Sequence, residues 1–235
     1  MLLLLHGFCD TDVNFASFGT KLQLPQTAVL AIRAPIPMLD MGFTWFDVLT
    51  SNGDLSFDSA DAVASLRETS DAMLPLLHRL HQRHGYALRN IFILGYSQGG
   101  TVALSVLRSL QDTAIGGVVS ICGAPAPAPP PTLCSSTPVL FTLGQRDSAA
   151  ESKARAWAEF EGARGVSADA QHDRAIVIIK DKGEAMVQAG HEARVLMQFF
   201  GKHLNLRSLQ LYAQSDVVAV DNSQLMGALC ASQSL

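Results

Sequence analysis

Six short apolar runs recur along the chain, at residues 2–5, 28–32, 91–94, 117–121, 139–143 and 175–179. Each is continuous rather than alternating. A strand covered on both faces has no polar side, so such runs predict parallel strands buried between helices. Helical stretches are predicted between them at about 59–84, 98–111, 150–163 and 190–203. Strand following helix in this order predicts an α/β fold: a doubly wound, mostly parallel sheet with helices on both faces. In the first long helix Val63, Leu66, Met73, Leu77 and Leu80 keep one face apolar, and Pro75 is expected to kink or divide it. The proline-rich residues 124–131 predict a stiff surface loop. No internal repeat is visible. Residues 1–203 read as one α/β domain, and 204–235 as a C-terminal extension of uncertain structure. Within that extension 216–220 could add a strand and 225–230 a short helix. The chain opens directly on a strand, so the first strands of a longer relative are expected to be absent or encoded differently.

The length of 235 residues suits one such domain, and 48% hydrophobic with 16% charged residues fits a large core. The net charge of −4 has no basic stripe for a nucleic-acid backbone, and lysines and arginines are too few to hold an anionic membrane surface. No run approaches the ~18 apolar residues that cross a bilayer. Cys9, Cys122, Cys134 and Cys230 have neither zinc-ligand spacing nor the density of a disulfide framework, so reduced thiols in a cytoplasmic compartment are expected.

The chemistry enters after the run at 91–94. Gly95-Tyr96-Ser97-Gln98-Gly99 is a G-x-S-x-G pattern set between a predicted strand and a predicted helix. A strand that turns sharply into a helix leaves no space for a Cβ at the flanking positions, which are therefore glycine. The serine is raised above the sheet edge, beside free N–H groups at the new helix start. Ser97 is the expected nucleophile. His6-Gly7-Phe8 ends the first run, where a second amide donor normally lies. Backbone N–H groups of Phe8 and Gln98 are expected to form the oxyanion hole.

Four pieces in order, His6-Gly7-Phe8-Cys9-Asp10-Thr11, Arg33-Ala34-Pro35, Trp45-Phe46-Asp47 and Gly95-Tyr96-Ser97-Gln98-Gly99-Gly100, resemble the acyl-protein thioesterase and phospholipase/carboxylesterase family of α/β-hydrolases. The Ser-Gln-Gly-Gly ending is more selective than G-x-S-x-G alone. The resemblance spans residues 1 to about 203. It implies a cytosolic, cofactor-free serine hydrolase that cleaves acyl thioesters or carboxylic esters. The implied substrates are acylated proteins, lysolipids or small esters, with no nucleic acid and no stable membrane insertion. Trp45 and Phe46, with Phe43 nearby, could line an acyl pocket or be core packing.

These hydrolases order their triad as serine, acid, histidine along the chain. The run at 139–143 ends in Gly144-Gln145-Arg146-Asp147, which makes Asp147 the expected acid; the alternative is a helix-capping aspartate. The histidine usually follows the last strand closely, a slot that falls near residues 184–186. This chain has Glu184 there, and its next histidine is His191. An imidazole with an ordinary pKa of about 6.5 can take the serine proton and return it, whereas a carboxylate near 4.3 is a poor base. Three readings stand. His191 reaches Ser97 from a late-starting helix; Glu184 occupies a vacated slot; or the local correspondence is misread. A helix already running through 184–191 would carry His191 about 10 Å away, at about 1.5 Å per residue. The provisional triad is Ser97, Asp147 and His191. The rival is a catalytically impaired relative that acts as a binding or regulatory protein.

His78, His81 and His84 recur every third residue, but the further ligands a metal would need are missing, so a solvated face is expected and no metal. Cys9 lies near the oxyanion segment without an elbow of its own. Acyl-chain length and oligomeric state are not written in the sequence.

Overall fold

The continuous apolar runs become a six-stranded sheet whose four inner strands, at residues 2–5, 92–96, 117–121 and 139–144, are shielded on both faces, while its edge strands, at 29–32 and 174–179, stay partly exposed. The computed structural model describes residues 1–50, 52–126, 136–162 and 174–204. In chain order its elements are β1 (Leu2–Leu5), α1 (Asp12–Lys21), β2 (Val29–Ile32), β3 (Ile36–Pro37), β4 (Phe43–Thr44), α2 (Ala60–His84) and β5 (Phe92–Tyr96). There follow α3 (Gln98–Ser109), β6 (Gly117–Ile121), β7 (Val139–Gly144), α4 (Ala150–Gly162), β8 (Arg174–Ile179) and α5 (His191–His203). By internal contact the chain divides into Met1–Leu204 and Asn205–Leu235. The expected strand at 216–220 and helix at 225–230 lie outside the described residues, as do Cys134, Cys230 and residues 127–131 of the proline-rich stretch.

The sheet order is β2-β1-β5-β6-β7-β8, and every pairing is parallel. Helices cover both faces. On one side Leu3, Leu5, Ile93, Val118 and Phe141 pack with Leu66 and Leu77 of α2, Val102 and Val106 of α3, and Trp157 of α4. On the other, Leu2, Leu4, Phe92, Leu94 and Leu140 pack with Phe15 of α1 and Leu196, Phe199 and Phe200 of α5. Alternate residues of a strand point to opposite faces, so four consecutive leucines in β1 supply both cores.

The expected α2 is a single 25-residue helix. Ser59 caps it by accepting from Ala62 N at 3.1 Å, and Gly85, at φ 72°, closes it in the left-handed conformation. Pro75 does not divide it. Two features lacked a readable pattern. Helix α1 buries only Phe15 and Gly19, too thin a stripe for periodicity to show. The antiparallel pair β3–β4 has two residues in each strand.

The strand order sets where a site can lie. From β1 the chain moves outward to β2, then returns to the other side of β1 to lay down β5 and continue to β8. The switch point is the junction of β1 and β5, where diverging connections leave a crevice at the carboxyl ends of the strands. Ser97 follows β5, and Phe8 lies just beyond β1.

That junction is packed backbone against backbone. A Cβ on Gly99 would lie 2.4 Å from both His6 O and Leu5 O, and one on Gly95 would lie 2.1 Å from Gly99 O. Gly99→Ala is therefore expected to lower unfolding stability by about 3 kcal/mol or more in urea titrations. Gly201→Ala, in α5 with no atom within 4 Å of the added methyl, should be neutral or stabilising by about 0.5–1 kcal/mol.

Candidate active site

At the end of β5 the backbone reverses through Ser97, held at φ 48° and ψ −119°. A non-glycine residue in this region stores about 1–3 kcal/mol of strain, so its surroundings must hold it there. Ser97 N donates to Ile121 O at 2.8 Å, and Ser97 O accepts from Gly100 N at 3.0 Å and Thr101 N at 3.1 Å. The Ser97 side chain is thereby turned out of the packing, and the residue is partly exposed.

Gln98 fastens the corner to a second segment. Its buried Oε1 accepts from Trp45 N at 2.8 Å and Thr44 Oγ1 at 2.9 Å, and its Nε2 donates to Phe46 O at 3.3 Å. Trp45 Nε1 in turn donates to His6 O at 2.8 Å. Trp45 and Phe46 are 1% and 2% exposed and belong to the main core. Of the two readings of these rings, pocket lining and core packing, the structure shows core packing, with polar atoms of both residues committed to holding β1, β4 and the elbow together. Phe43 is partly buried, with the Arg33 guanidinium over its ring at 5.0 Å.

Phe8 N and Gln98 N, the expected oxyanion donors, meet no acceptor among the described residues. Gln98 is the first residue of a 12-residue helix, so its N–H is one of the free amides at the positive end of the helix dipole.

Ser97 Oγ donates to Glu184 Oε1 at 2.9 Å. Glu184 lies in the segment between β8 and α5 and keeps 46% of its side chain exposed. His191 is the exposed first residue of α5, with no hydrogen bond to Ser97 or Asp147 among the described residues. This corrects the provisional triad: α5 begins only at His191, as the late-start reading required, yet Glu184 on the non-helical 180–190 segment is the residue that bonds the serine, while His191 stays exposed. Asp147 lies at the end of β7 with its side chain 1% exposed. Its Oδ1 accepts from Ala149 N at 2.8 Å and its Oδ2 from Lys153 Nζ at 2.7 Å. The capping and acidic-site readings of Asp147 thus coexist in one carboxylate. Lys153 Nζ also lies 3.6 Å from Glu184 Oε1.

Sequence reasoning missed Lys153 altogether. It stands near the N-terminus of α4, where a cation runs against the helix dipole, and that mismatch was the available signal. It also missed what aims Glu184. Gln145 N donates to Ile179 O at 2.9 Å and Arg146 N to Lys182 O at 2.7 Å, tying the segment down beside Asp147. Lys182 and Glu192, 0% and 1% exposed, form an ion pair at 2.5 Å. Glu192 also accepts from Thr142 Oγ1 at 2.8 Å and Gln188 N at 2.9 Å. A buried pair with its lone pairs filled costs about 3–5 kcal/mol to break from one side, so it clamps both ends of the segment.

Other ionisable groups nearby do not offer a base. Burial pushes the Tyr96 phenol up to about 12, with the nearby Cys122, Glu184, Asp10 and Asp147 charges adding to the shift. Burial likewise raises the Cys9 thiol above its ordinary value. Among the described residues no cluster of three or more His, Cys, Asp or Glu side chains could hold a metal ion.

A glycine-flanked serine corner at the switch point of a parallel sheet, with two free amides beside it, is the architecture of the α/β-hydrolases. The chain belongs to the phospholipase/carboxylesterase family, whose model matches residues 1–160. That match ends before Glu184. An uncharacterized hydrolase of Mycosarcoma maydis is 35% identical over 148 residues, covering 60% of this chain and 54% of the relative. The chain spans about half the length of the curated relatives it matches. Among solved structures, acyl-protein thioesterase 2 of Zea mays matches with TM-score 0.66 at 19% identity, over 86% of this chain and 93% of that one. A Bacillus cereus carboxylesterase matches with TM-score 0.67 at 17% identity, over 86% and 88%. Both share the fold. No helix among the described residues is long and apolar enough to cross a membrane.

His6 makes this architecture sensitive to acid. Its ring is 0% exposed; Nδ1 donates to Gly7 O at 2.7 Å, and Nε2 accepts from Ala34 N at 3.1 Å. Burial holds its pKa below the ordinary 6.5, and a proton on Nε2 would displace the Ala34 amide. As pH falls below about 6.5 the unfolded chain takes up this proton before the fold does, so stability falls with pH through that window. Thermal unfolding between pH 7 and 5 should show this slope. His6→Asn should start less stable but give a flatter profile.

Proposed function

We propose that the chain hydrolyses acyl esters or thioesters through an acyl-enzyme on Ser97, with Glu184 as the group that takes and returns the serine proton. The observation that carries this reading is the 2.9 Å hydrogen bond from Ser97 Oγ to Glu184 Oε1 at a strained, glycine-flanked corner. Family membership supports the reaction class.

The substrate carbonyl oxygen sits between Phe8 N and Gln98 N, which stabilise the charge that develops on it. Ser97 Oγ forms a bond to the carbonyl carbon as its proton passes to Glu184 Oε1, and the carbonyl π pair moves onto oxygen. The pair returns, the bond to the alcohol or thiol breaks, and the leaving group takes the proton from Glu184. Water repeats the sequence: Glu184 accepts its proton, the acid departs, and Ser97 recovers its hydrogen. A carboxylate is a weaker acceptor than an imidazole, so turnover is slower than a histidine in this position would give. Acylated proteins, lysolipids and small esters are the proposed substrates.

A second reading is favoured by the same residue. With glutamate in the usual histidine place, the protein retains the fold and binds an acyl ligand or partner without turning it over.

Fluorophosphonate labelling together with p-nitrophenyl ester hydrolysis separates the two. Labelling of the folded protein that disappears in Ser97→Ala is expected, with Glu184→Gln lowering kcat by about 10²-fold or more and His191→Ala leaving it unchanged. The pH profile of kcat/KM should show no inflection in the imidazole range near 6.5. Absence of labelling in folded protein selects the binding reading.

A further inference from the structure

A triad imidazole performs two tasks with two nitrogens: one accepts the serine proton, and the other donates to the acid that orients the ring. Glu184 can do only the first. A carboxylate has no N–H to offer Asp147, and two carboxylates in one small site repel. The structure places an ammonium there. Lys153 Nζ is 2.7 Å from Asp147 Oδ2 and 3.6 Å from Glu184 Oε1, and its side chain is 14% exposed. Ser97 bonds the same Glu184 oxygen, Oε1, from the other side.

We propose that Lys153 and Glu184 together replace one imidazole, Lys153 serving as the positioning residue that donates to Asp147 and holds Glu184 towards Ser97. The inference rests on the hydrolase reading above and deepens it. The charges agree at both stages. With Asp147, Lys153 and Glu184 all ionised the group carries one net negative charge, as an aspartate with neutral imidazole does. Once Glu184 holds the serine proton the group is neutral, as an aspartate with imidazolium is. The transition state therefore develops in an electrostatic setting like that of a histidine triad, although two side chains from different elements build it. The ammonium must lie between the carboxylates to do this. Asp147 at a strand end and Lys153 near the start of the following helix provide that placement.

A two-by-two set of variants tests the division of labour: the parent, Lys153→Met, Glu184→His, and the double variant. Each is confirmed folded by thermal unfolding and compared by rate of fluorophosphonate labelling and by kcat and KM on a p-nitrophenyl ester. In the parent background Lys153→Met should lower labelling and kcat by about tenfold or more with little change in KM, and Lys153→Arg should recover much of the loss. In the Glu184→His background the sign should reverse. There Lys153 competes with the new imidazole for Asp147, so its removal lets the ring bond the acid and should raise kcat by about tenfold over Glu184→His alone. A residue that merely supports the fold would lower both backgrounds alike. The same direction of effect in both, or none in the parent, overturns the inference while leaving labelling at Ser97 intact. A parent that is folded but unlabelled overturns the hydrolase reading and the inference with it.

Discussion

The close approach of two backbones at the centre of the sheet governs this molecule. Where β5 turns into α3, Gly99 lies against the backbone at the end of β1 and Gly95 against the backbone of the turn itself, and neither position has room for a Cβ. That contact forces Ser97 into a positive-φ conformation and lifts its hydroxyl from the packing. It also sets the first amide of α3 near the segment that follows β1. Strain at the serine is sustained by hydrogen bonds from three directions and by the buried Gln98 side chain, which ties the corner to Thr44 and Trp45. The energy of a large two-sided core is thus concentrated on one turn.

The opposite wall of the site is built from charge. Glu184 is carried on an irregular segment, which by itself would not hold a side chain to a fraction of an ångström. The buried Lys182–Glu192 pair and the backbone bonds to Gln145 and Arg146 supply the missing rigidity. Replacing such a pair by apolar residues is often neutral for stability, so its value here lies in fixing a geometry. Lys153 then links Asp147 to Glu184, so that serine, glutamate, lysine and aspartate form one continuous polar chain.

The residues matched by the phospholipase/carboxylesterase family, 1–160, hold every strand of the six-stranded sheet except β8, together with the serine corner and Phe8. Glu184, the proposed proton acceptor, lies in the segment after β8, beyond that range. The scaffold depends on backbone packing that tolerates little change, and the acceptor depends on one side chain in a connecting segment.

Much of this was legible in one dimension. Continuous apolar runs identify the six strands, of which the four inner ones are buried on both faces and the edge strands β2 and β8 are partly exposed, and the glycine spacing identifies the corner because a Cβ cannot fit there. Both are local constraints, expressed by consecutive residues. Helix α1 was not legible, since it buries too thin a stripe for periodicity to register. Nor was the role of Trp45 and Phe46, because an aromatic in a pocket wall and one in a core look alike in sequence. The late start of α5 did not decide between His191 and Glu184; the choice depends on how backbone bonds and a buried pair tie the segment down beside Asp147, not on local propensity. Lys153 entered the site only when α4 folded back beside the 180–190 segment. The sequence by itself determined which strands form and where the serine corner falls. The tertiary structure decided which charged groups meet that serine, because Glu184 lies 87 residues from Ser97 and 31 from Lys153 along the chain and meets them only in the assembled fold.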